Sequence, residues 1–323
     1  MADVAAQTGV SQAAVSYVVN GIAAEKRIPE ATQQRIEAAC HELGYRRDYL
    51  ATAMATRQTR VIGMLFANAL GEFMNGIIKG AQDYLREHDR HVVLCTCDDD
   101  PAVEAADLEM LDHRHADGII CFPVPPPHST DYWKRALDGE RPTVFVDVLP
   151  LGIDGDCVRI DDAACGKGAA EHLHRAGIEQ TVLLQMPGWS AASIEMRQAG
   201  FLTGLRQAGL PAARVVDVGD RQAIHALLQS QEKLGIFAPV SGWLTHMLRP
   251  FIRSVGPIGA GVTFASIGRC PEADFVVNSW WVAQQPEKEM GLIAAQQLLH
   301  RLEDNQPAPP TLVLPVDWHH NRP

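Results

Sequence analysis

The sequence predicts a small all-α head followed by an α/β body of two lobes. Residues 1–20 hold two short amphipathic runs joined by Gly9-Val10. From residue 61 onward, short apolar strand-like runs alternate with helical ones, and the alternation pauses at Leu149–Asp156 before restarting. Alternation of this kind means parallel sheets covered by helices on both faces. Two successive series mean two such lobes.

In the head, Val4 and Ala5 give the first run an apolar side, and Val15, Val18 and Val19 do so for the second. Gly9 stands where a tight turn between helices needs a positive φ. Ser11 follows at the N-cap of the second run, where its hydroxyl can accept an orphan backbone N–H. Small residues at Ala5, Ala13 and Ala14 let the helices cross closely. Runs this short need a third helix to pack on. This is the layout of a helix-turn-helix, whose second helix enters the DNA major groove; a small αα-corner fits the same twenty residues equally well. The next forty decide between them. Pro29 suits the start of a third helix, Ile36, Ala39, Cys40 and Leu43 recur at helical spacing, and Gly44 ends it. Arg46 and Arg47 then lead into the Ala-rich run Asp48–Thr56, followed by Arg57.

The segments DVAAQTGVS, AVSYVVN, RIEAACHELGY and the run ending ATAMATRQTRVIGML stand in order, without gaps, across about sixty residues. Here the sequence resembles the lactose-repressor (LacI/GalR) family of bacterial transcription regulators. The likeness continues through HADGIICFP (115–123), PTVFVD (142–147), VRIDDAACGKGAAEHLHRAG (158–177), MRQAGFLTGLRQAGL (196–210) and QPEKEMG (285–291). The resemblance implies a helix-turn-helix headpiece (1–47), a hinge helix or linker (48–60) and a bilobed periplasmic-binding-protein-like domain (61–323) for effector binding and dimerisation. Lobe 1 is expected at about 61–157 with a C-terminal return, and lobe 2 at about 158–285.

The first series reads as strand Val61–Ala67, helix Phe73–Leu85, strand His91–Thr96, helix Val103–Leu111, strand Gly118–Phe122, helix Ser129–Leu137 and strand Pro142–Asp147. The second begins with Val158–Ile160, Ala163–Arg175 and Thr181–Gln185, and continues with Met196–Ala208, Arg214–Val218, Arg221–Leu228 and Gly235–Ala238. Gly242–Val255, Val262–Ile267, Glu287–Leu302 and Thr311–Val316 complete it, the last helix and strand returning across the break. Ligands in such sheets bind beyond the carboxyl ends of the strands, here in the cleft between lobes.

Composition agrees. The chain has 323 residues, 46% hydrophobic, enough to bury substantial cores. No apolar run approaches membrane-spanning length and the N-terminus lacks the pattern of a signal peptide, so a cytoplasmic protein with no membrane partner is expected. Seven cysteines, an odd number, argue against a disulfide framework, and Cys95-x-Cys97 reads as strand core. The net charge of −11 is uneven: residues 1–60 carry +1, so the acidic excess lies in the body. That arrangement weakens nonspecific DNA binding by the body and leaves a weakly basic head, which binds usefully only in pairs. A homodimer follows. The chain ends without a leucine heptad, so pairing of dimers into tetramers is not expected.

Enzyme readings are poor and no cofactor or metal is expected. Gly166-Lys167 is followed by Gly168, which breaks a phosphate-binding loop, and Gly256–Gly261 lies between a helix and a strand, the wrong order for a dinucleotide fingerprint. His172 and His174 diverge on a helix, and His113/His115 and His319/His320 read as turn and tail residues.

For operator DNA, the exposed start of the second helix offers Ser11, Gln12, Ala13, Ser16 and Tyr17. Gln12 can read adenine and Ala13 a thymine methyl, while Ser16 and Asn20 suit phosphates. The family pattern usually has Arg where Tyr17 stands. Tyrosine cannot grip guanine as arginine does, so the usual operator core is in doubt; packing of Tyr17 on the third helix is the alternative. Met54 aligns with the family's leucine wedge in the minor groove, and Arg57 follows it. Met1 stands only two residues before Asp3, where relatives carry several more, which leaves open a start upstream or missing phosphate contacts.

For the effector, the resemblance points to Phe73, Asp147, Arg197, Arg221, Arg269 and Trp281. The Asn-Asp pair and Gly-Phe-Asp-Asp turn usual in sugar-binding members are replaced by Val240-Ser241 and Ser266–Arg269. Three guanidiniums, Arg197, Arg221 and Arg269, would then face the cleft with fewer acids, which suggests a sugar acid or sugar phosphate. The competing arrangement has Arg221 and Arg269 facing solvent, paired with acids such as Glu272. Trp189 and Trp243 are further candidates for the cleft wall. Two other readings remain: a small-molecule-binding module with a degenerate headpiece, and a regulator controlled by a protein partner.

Overall fold

The structure is a computed structural model of the chain. It describes all residues except 20, 46–57, 69–70, 114, 126–129, 139–140, 190, 253–257, 278, 305–310 and 322–323. Two compact units emerge, Met1–Thr59 and Arg60–Pro323.

The first unit holds α1 (Ala2–Thr8), α2 (Gln12–Val19) and α3 (Glu30–Glu42). Gly9 ends α1 in the left-handed conformation, with φ 65°. The Ser11 hydroxyl accepts the Ala14 N–H at 3.2 Å, capping α2 as its position predicts. Val4, Val15, Val18, Ile36 and Ala39 form a small buried core with Ala23. Arg35 donates to the Thr8 carbonyl and Gln7 to Glu42 at 2.6 Å, so polar contacts tie α3 to α1 as well. Two expectations fail here. Ala13 is exposed, which removes it from the helix crossing. Leu43 is also exposed, and Tyr45 packs against the core instead.

The second unit opens with β1 (Val61–Phe66), α4 (Glu72–Glu87), β2 (His91–Thr96), α5 (Pro101–His113), β3 (Gly118–Phe122), α6 (Asp131–Asp138), β4 (Thr143–Val146) and β5 (Asp156–Ile160). It continues with α7 (Asp162–Arg175), β6 (Gln180–Gln185), α8 (Ala192–Gln207), β7 (Arg214–Asp217), α9 (Arg221–Leu228), β8 (Leu234–Ala238), α10 (Ser241–Leu248), β9 (Val262–Ile267), α11 (Ala273–Val276) and β10 (Trp280–Gln284). Helix α12 (Glu287–Asp304) and strands β11 (Thr311–Leu314) and β12 (Asp317–Asn321) complete it. One sheet has the order β11-β5-β4-β3-β1-β2 and is parallel; the other runs β12-β10-β9-β8-β6-β7, parallel except for β12. The return of the last helix and strand is as the pattern predicts: β11 pairs with β5 in the first sheet.

The crossing point differs from the expected one. Residues 158–160 do not start the second lobe, because β5 pairs with β4 in the first sheet and the chain crosses after Ile160. Strand β10 and the short α11 have no counterpart in the sequence reading. Nor does β12: His319 and His320 lie in an edge strand paired with β10, and are not a loose tail. The predicted helix Gly242–Val255 stops at Leu248, just ahead of Pro250, which has no N–H with which to continue the helical hydrogen bonds.

Two helix pairs touch backbone to backbone. A Cβ on Gly166 of α7 would lie 1.9 Å from the Arg197 carbonyl oxygen, and one on Gly200 of α8 would lie 2.1 Å from that of Ala163. In the other lobe, Cβ atoms on Gly80 and Gly291 would each come within 2.0 Å of a carbonyl oxygen across the α4–α12 contact. Only glycine permits this approach, and it fixes where the side chains at the helix starts can reach.

Candidate functional site

A cavity of about 540 Å³ lies in the second unit, between its two lobes. Its walls are built where the topology predicts, from loops beyond the carboxyl ends of β1, β2, β3, β4, β6, β8 and β9. The starts of α4, α8 and α10 also face it, and none of the three carries a side-chain cap. Their first N–H groups therefore remain available to oxygen atoms of a ligand.

Phe73, Phe122 and half-exposed Trp189 give the cavity apolar surfaces; Asn68, Ser193, Ser241, Thr245 and Gln285 add neutral polar groups. Five carboxylates line it, Glu72, Asp99, Asp147, Glu272 and Glu287, against two guanidiniums, Arg197 and Arg269. Asp99 and Asp147 hold φ of 61° and 68°, backbone that non-glycine residues rarely adopt. Burial pushes the Asp99 carboxyl above its ordinary value, opposed by a hydrogen bond from Asn68. Burial likewise raises Glu287.

Arg197, from α8, is buried at the back of the cavity. Its Nε donates to Asp162 Oδ1 at 2.7 Å and its Nη1 to the Pro239 carbonyl at 3.1 Å. Nη2 lies 3.5 Å from Gln285 Oε1 and 3.6 Å from Asp147 Oδ1. One side chain thus meets the end of β4 in one lobe, the start of α7, the end of β8 in the other lobe, and a crossing segment. Burial disfavours its charge, but Asp147 and Asp162 outweigh that and raise its pKa. Burial also pushes Asp147 up, against the pull of Arg197 and Arg159, and raises Asp162 to about 6.

Of the six residues expected at the effector site, Phe73, Asp147, Arg197 and Arg269 line this cavity. Arg221 does not: it opens α9, on an exposed turn capped by Asp220. Trp281 does not either. Its ring lies stacked on His172 and on His320, both at 4.2 Å, because β10 turns that face toward α7 and β12. Trp243 is buried in the core of its lobe. Arg269 is half-exposed and donates to Asp274 at 2.7 Å rather than to Glu272. The expected excess of guanidiniums over acids is reversed, and with it goes the argument for an anionic ligand.

Sequence reasoning missed Asn68, Glu72 and Asp99. The rule that ligands sit beyond strand ends could have found Asp99, since it stands three residues after β2 in CDDDP. It also missed Glu104, fully buried behind the cavity wall. Its carboxylate accepts the Val124 N–H at 2.7 Å, the Trp133 Nε1–H at 3.1 Å and the Tyr132 hydroxyl. That fixes the segment carrying Pro125, a cavity residue.

In the head, Ser11, Gln12 and Ala13 are exposed at the start of α2, and Ser16 and Tyr17 are half-buried. Lys26 Nζ sits 5.6 Å from the Tyr17 ring centre. Asn20, Met54 and Arg57 lie outside the described residues. Among the described residues no helix is long and apolar enough to cross a membrane, and no cluster suits a metal ion.

Residues 1–48 match the bacterial regulatory proteins of the lacI family, and residues 59–229 match the periplasmic binding proteins and sugar binding domain of the LacI family. The chain is 28% identical over 311 residues to the HTH-type transcriptional regulator PtxS of Pseudomonas aeruginosa, covering 94% of this chain and 90% of that one. It is 26% identical to the ribose operon repressor of Escherichia coli K12 over 94% of this chain and 92% of that one. The PtxS of Pseudomonas plecoglossicida is 32% identical over 211 residues, 65% of this chain and 61% of that relative. Among solved structures, the Lac repressor dimer bound to operator and the anti-inducer ONPF matches with a TM-score of 0.78 at 20% identity, over 98% and 96% of the two chains. The complex of the regulator CelR with cellobiose matches at 0.66 and 24%, over 98% and 97%. With its helix-turn-helix head and two-sheet cleft domain, the chain belongs to the LacI family of bacterial DNA-binding transcription regulators, which act in the cytoplasm and are not enzymes.

Proposed function

We propose that this chain is a repressor that binds a pseudo-palindromic operator as a homodimer and is controlled by a neutral, polyhydroxylated small molecule of the sugar class. The observation that carries the effector class is the make-up of the cavity. Five carboxylates and two arginines already engaged with acids favour a ligand that donates hydrogen bonds through hydroxyls. A negative charge on the ligand would add to an acidic surplus. Phe73 and Trp189 offer flat apolar faces to the C–H side of a sugar ring, and uncapped helix starts accommodate its oxygens. The volume suits a ligand of that size. The match to a sugar binding domain points the same way, and the relatives include ribose and sucrose operon repressors.

On the DNA side, Gln12 and Ala13 read base edges, Ser11 and Ser16 hold phosphates, and Tyr17 alters the base preference that an arginine would give. Met54 serves as the minor-groove wedge, with Arg57 beside it.

Selection of bound DNA from a random library, followed by gel shift with and without D-ribose, D-fructose, sucrose, cellobiose and D-gluconate, tests the whole reading. The expected result is one palindromic site of roughly sixteen to twenty base pairs whose occupancy changes with a neutral sugar. Absence of any selected site would mean a degenerate head. A site indifferent to every sugar would refute the effector class.

A further inference from the structure

Behind the cavity wall, one guanidinium serves two carboxylates. Arg197 donates through Nε to Asp162 at 2.7 Å and stands 3.6 Å from Asp147. All three side chains are buried. One oxygen of each acid, Oδ1 of Asp147 and Oδ2 of Asp162, is enclosed and accepts no hydrogen bond. Buried carboxylates of this kind are costly unless their lone pairs are met. Only Asp147 and Arg197 line the cavity; Asp162 stands behind them at the start of α7.

We propose that Asp162, although it does not touch the ligand, sets the charge class that the cleft accepts, by taking the best-aligned donor of Arg197 and leaving Asp147 under-compensated on the cavity wall. This rests on the reading of the cavity as the site of a small polyhydroxylated effector. The charge of Asp147 on the cavity wall then repels a ligand carboxylate, with Arg197 already held by Asp162, whereas a neutral hydroxyl group meets no such repulsion. Asp162 is a positioning and specificity residue: a neutral group in its place removes one negative charge from behind the wall and leaves Arg197 and Arg159 facing Asp147 alone.

Protonation should mimic that substitution. The charged groups facing the pair are Arg197 from α8 and Arg159 from β5; the thiols of Cys157 and Cys165 lie close by and are both pushed up to about 12, so they stay neutral. Burial raises both carboxyls, Asp162 to about 6, so the pair takes up a proton as pH falls from 7.5 to 5.5. The cleft should therefore tolerate an anion better at the lower pH.

The test is calorimetric titration of the full chain with D-ribose, D-fructose and sucrose as neutral probes and D-gluconate as the anionic one, at pH 5.5 and 7.5. It uses the wild type, Asp162→Asn and the conservative Asp162→Glu. Asparagine keeps an acceptor for Arg197 Nε and nearly the same shape. One charge within several ångströms of the ligand corresponds to about a tenfold change in affinity at an effective dielectric near 20–40. The ratio of gluconate to neutral-sugar affinity should rise about tenfold in D162N, depend less on pH there, and return toward wild type in D162E. A neutral sugar that binds all three proteins with an unchanged ratio and pH profile overturns the proposal while leaving the effector class standing. Binding of no probe to any of the three overturns the effector class itself, and this proposal falls with it.

Discussion

The clearest test of how the fold positions the site is Gly200→Ala. An alanine Cβ there would lie 2.1 Å from the Ala163 carbonyl oxygen, 2.9 Å from its carbon and 3.0 Å from its Cα. Carbon–oxygen contacts settle near 3.3 Å, so α8 must retreat from α7 by about 1 Å, and the obstacle is backbone that no rotamer change can move. Overpacking of this kind costs about 1–3 kcal/mol. Against it stands the better helix propensity of alanine, worth up to about 1 kcal/mol. The net expectation is a loss of about 1–2 kcal/mol. Arg197 is one helical turn away, and its 2.7 Å bond to Asp162 spans the same two helices. A 1 Å retreat carries it beyond hydrogen-bond length. Urea titration followed by tryptophan fluorescence reads the first effect as a lowered midpoint at constant slope. Calorimetry with the sugar probes reads the second. A G200A protein as stable as wild type, with unaltered ligand affinity, would refute the claim that glycine-mediated contact places Arg197.

Glu104→Gln should lower stability by about 2–4 kcal/mol, because an amide offers one acceptor oxygen where three donors converge on a buried carboxylate; denaturant titration checks it. Asp162 has the opposite pH signature to an ordinary salt-bridged acid. Its folded pKa of about 6 exceeds the model-peptide value of 3.8, so its contribution is full below about pH 4 and is lost as pH rises to 6. The stability of wild type relative to D162N should fall by about 2 kcal/mol across that window; a flat difference would count against the shift. Tyr17→Arg should change the selected operator at one position per half-site, read by repeating the selection, and an unchanged site would assign Tyr17 to packing. Light scattering should give a dimer at low micromolar concentration, and a stable tetramer would contradict that assembly.

The parts of the fold that were legible were those with local causes. Gly9 and Ser11 predict a turn and a cap, and both form as their chemistry requires. Apolar runs such as Val262–Ile267 are buried from end to end, and such runs announce themselves as interior strands. What stayed hidden depends on pairing across distance. Val158–Ile160 reads as the start of a new series, yet the strand that holds it, Asp156–Ile160, pairs with β4 and β11, and nothing in so short a run states which sheet it joins. Trp280 and Trp281 illustrate the same limit. Their alternation puts Trp280 in the core and Trp281 against His172 and His320, where α7 and the antiparallel β12 together cover that second face. At the site, motif resemblance found the arginine on α8 and the aspartate after β4. The charge balance was out of reach because Glu72, Asp99 and Glu287 come from three separate strand or helix ends.

The proposed control follows from where these residues sit in the crossing of the chain. The lobes are joined after β5, after β10 and between β11 and β12. Asp162 immediately follows the first crossing and Gln285 lies in the second; Arg197 hydrogen-bonds to Asp162 and lies 3.5 Å from Gln285. The pair from Arg197 to Asp147, at 3.6 Å, joins opposite lobes directly. Any rotation of one lobe on the other must change that separation, since Asp147 moves with the first sheet and Arg197 with the second. A ligand in contact with Asp147 would favour whichever separation admits it. Binding then has a different free energy in the two lobe arrangements, which is the condition for a ligand to shift their populations. Effector recognition and lobe movement thereby share the same atoms, and a substitution at Asp162 should disturb both together.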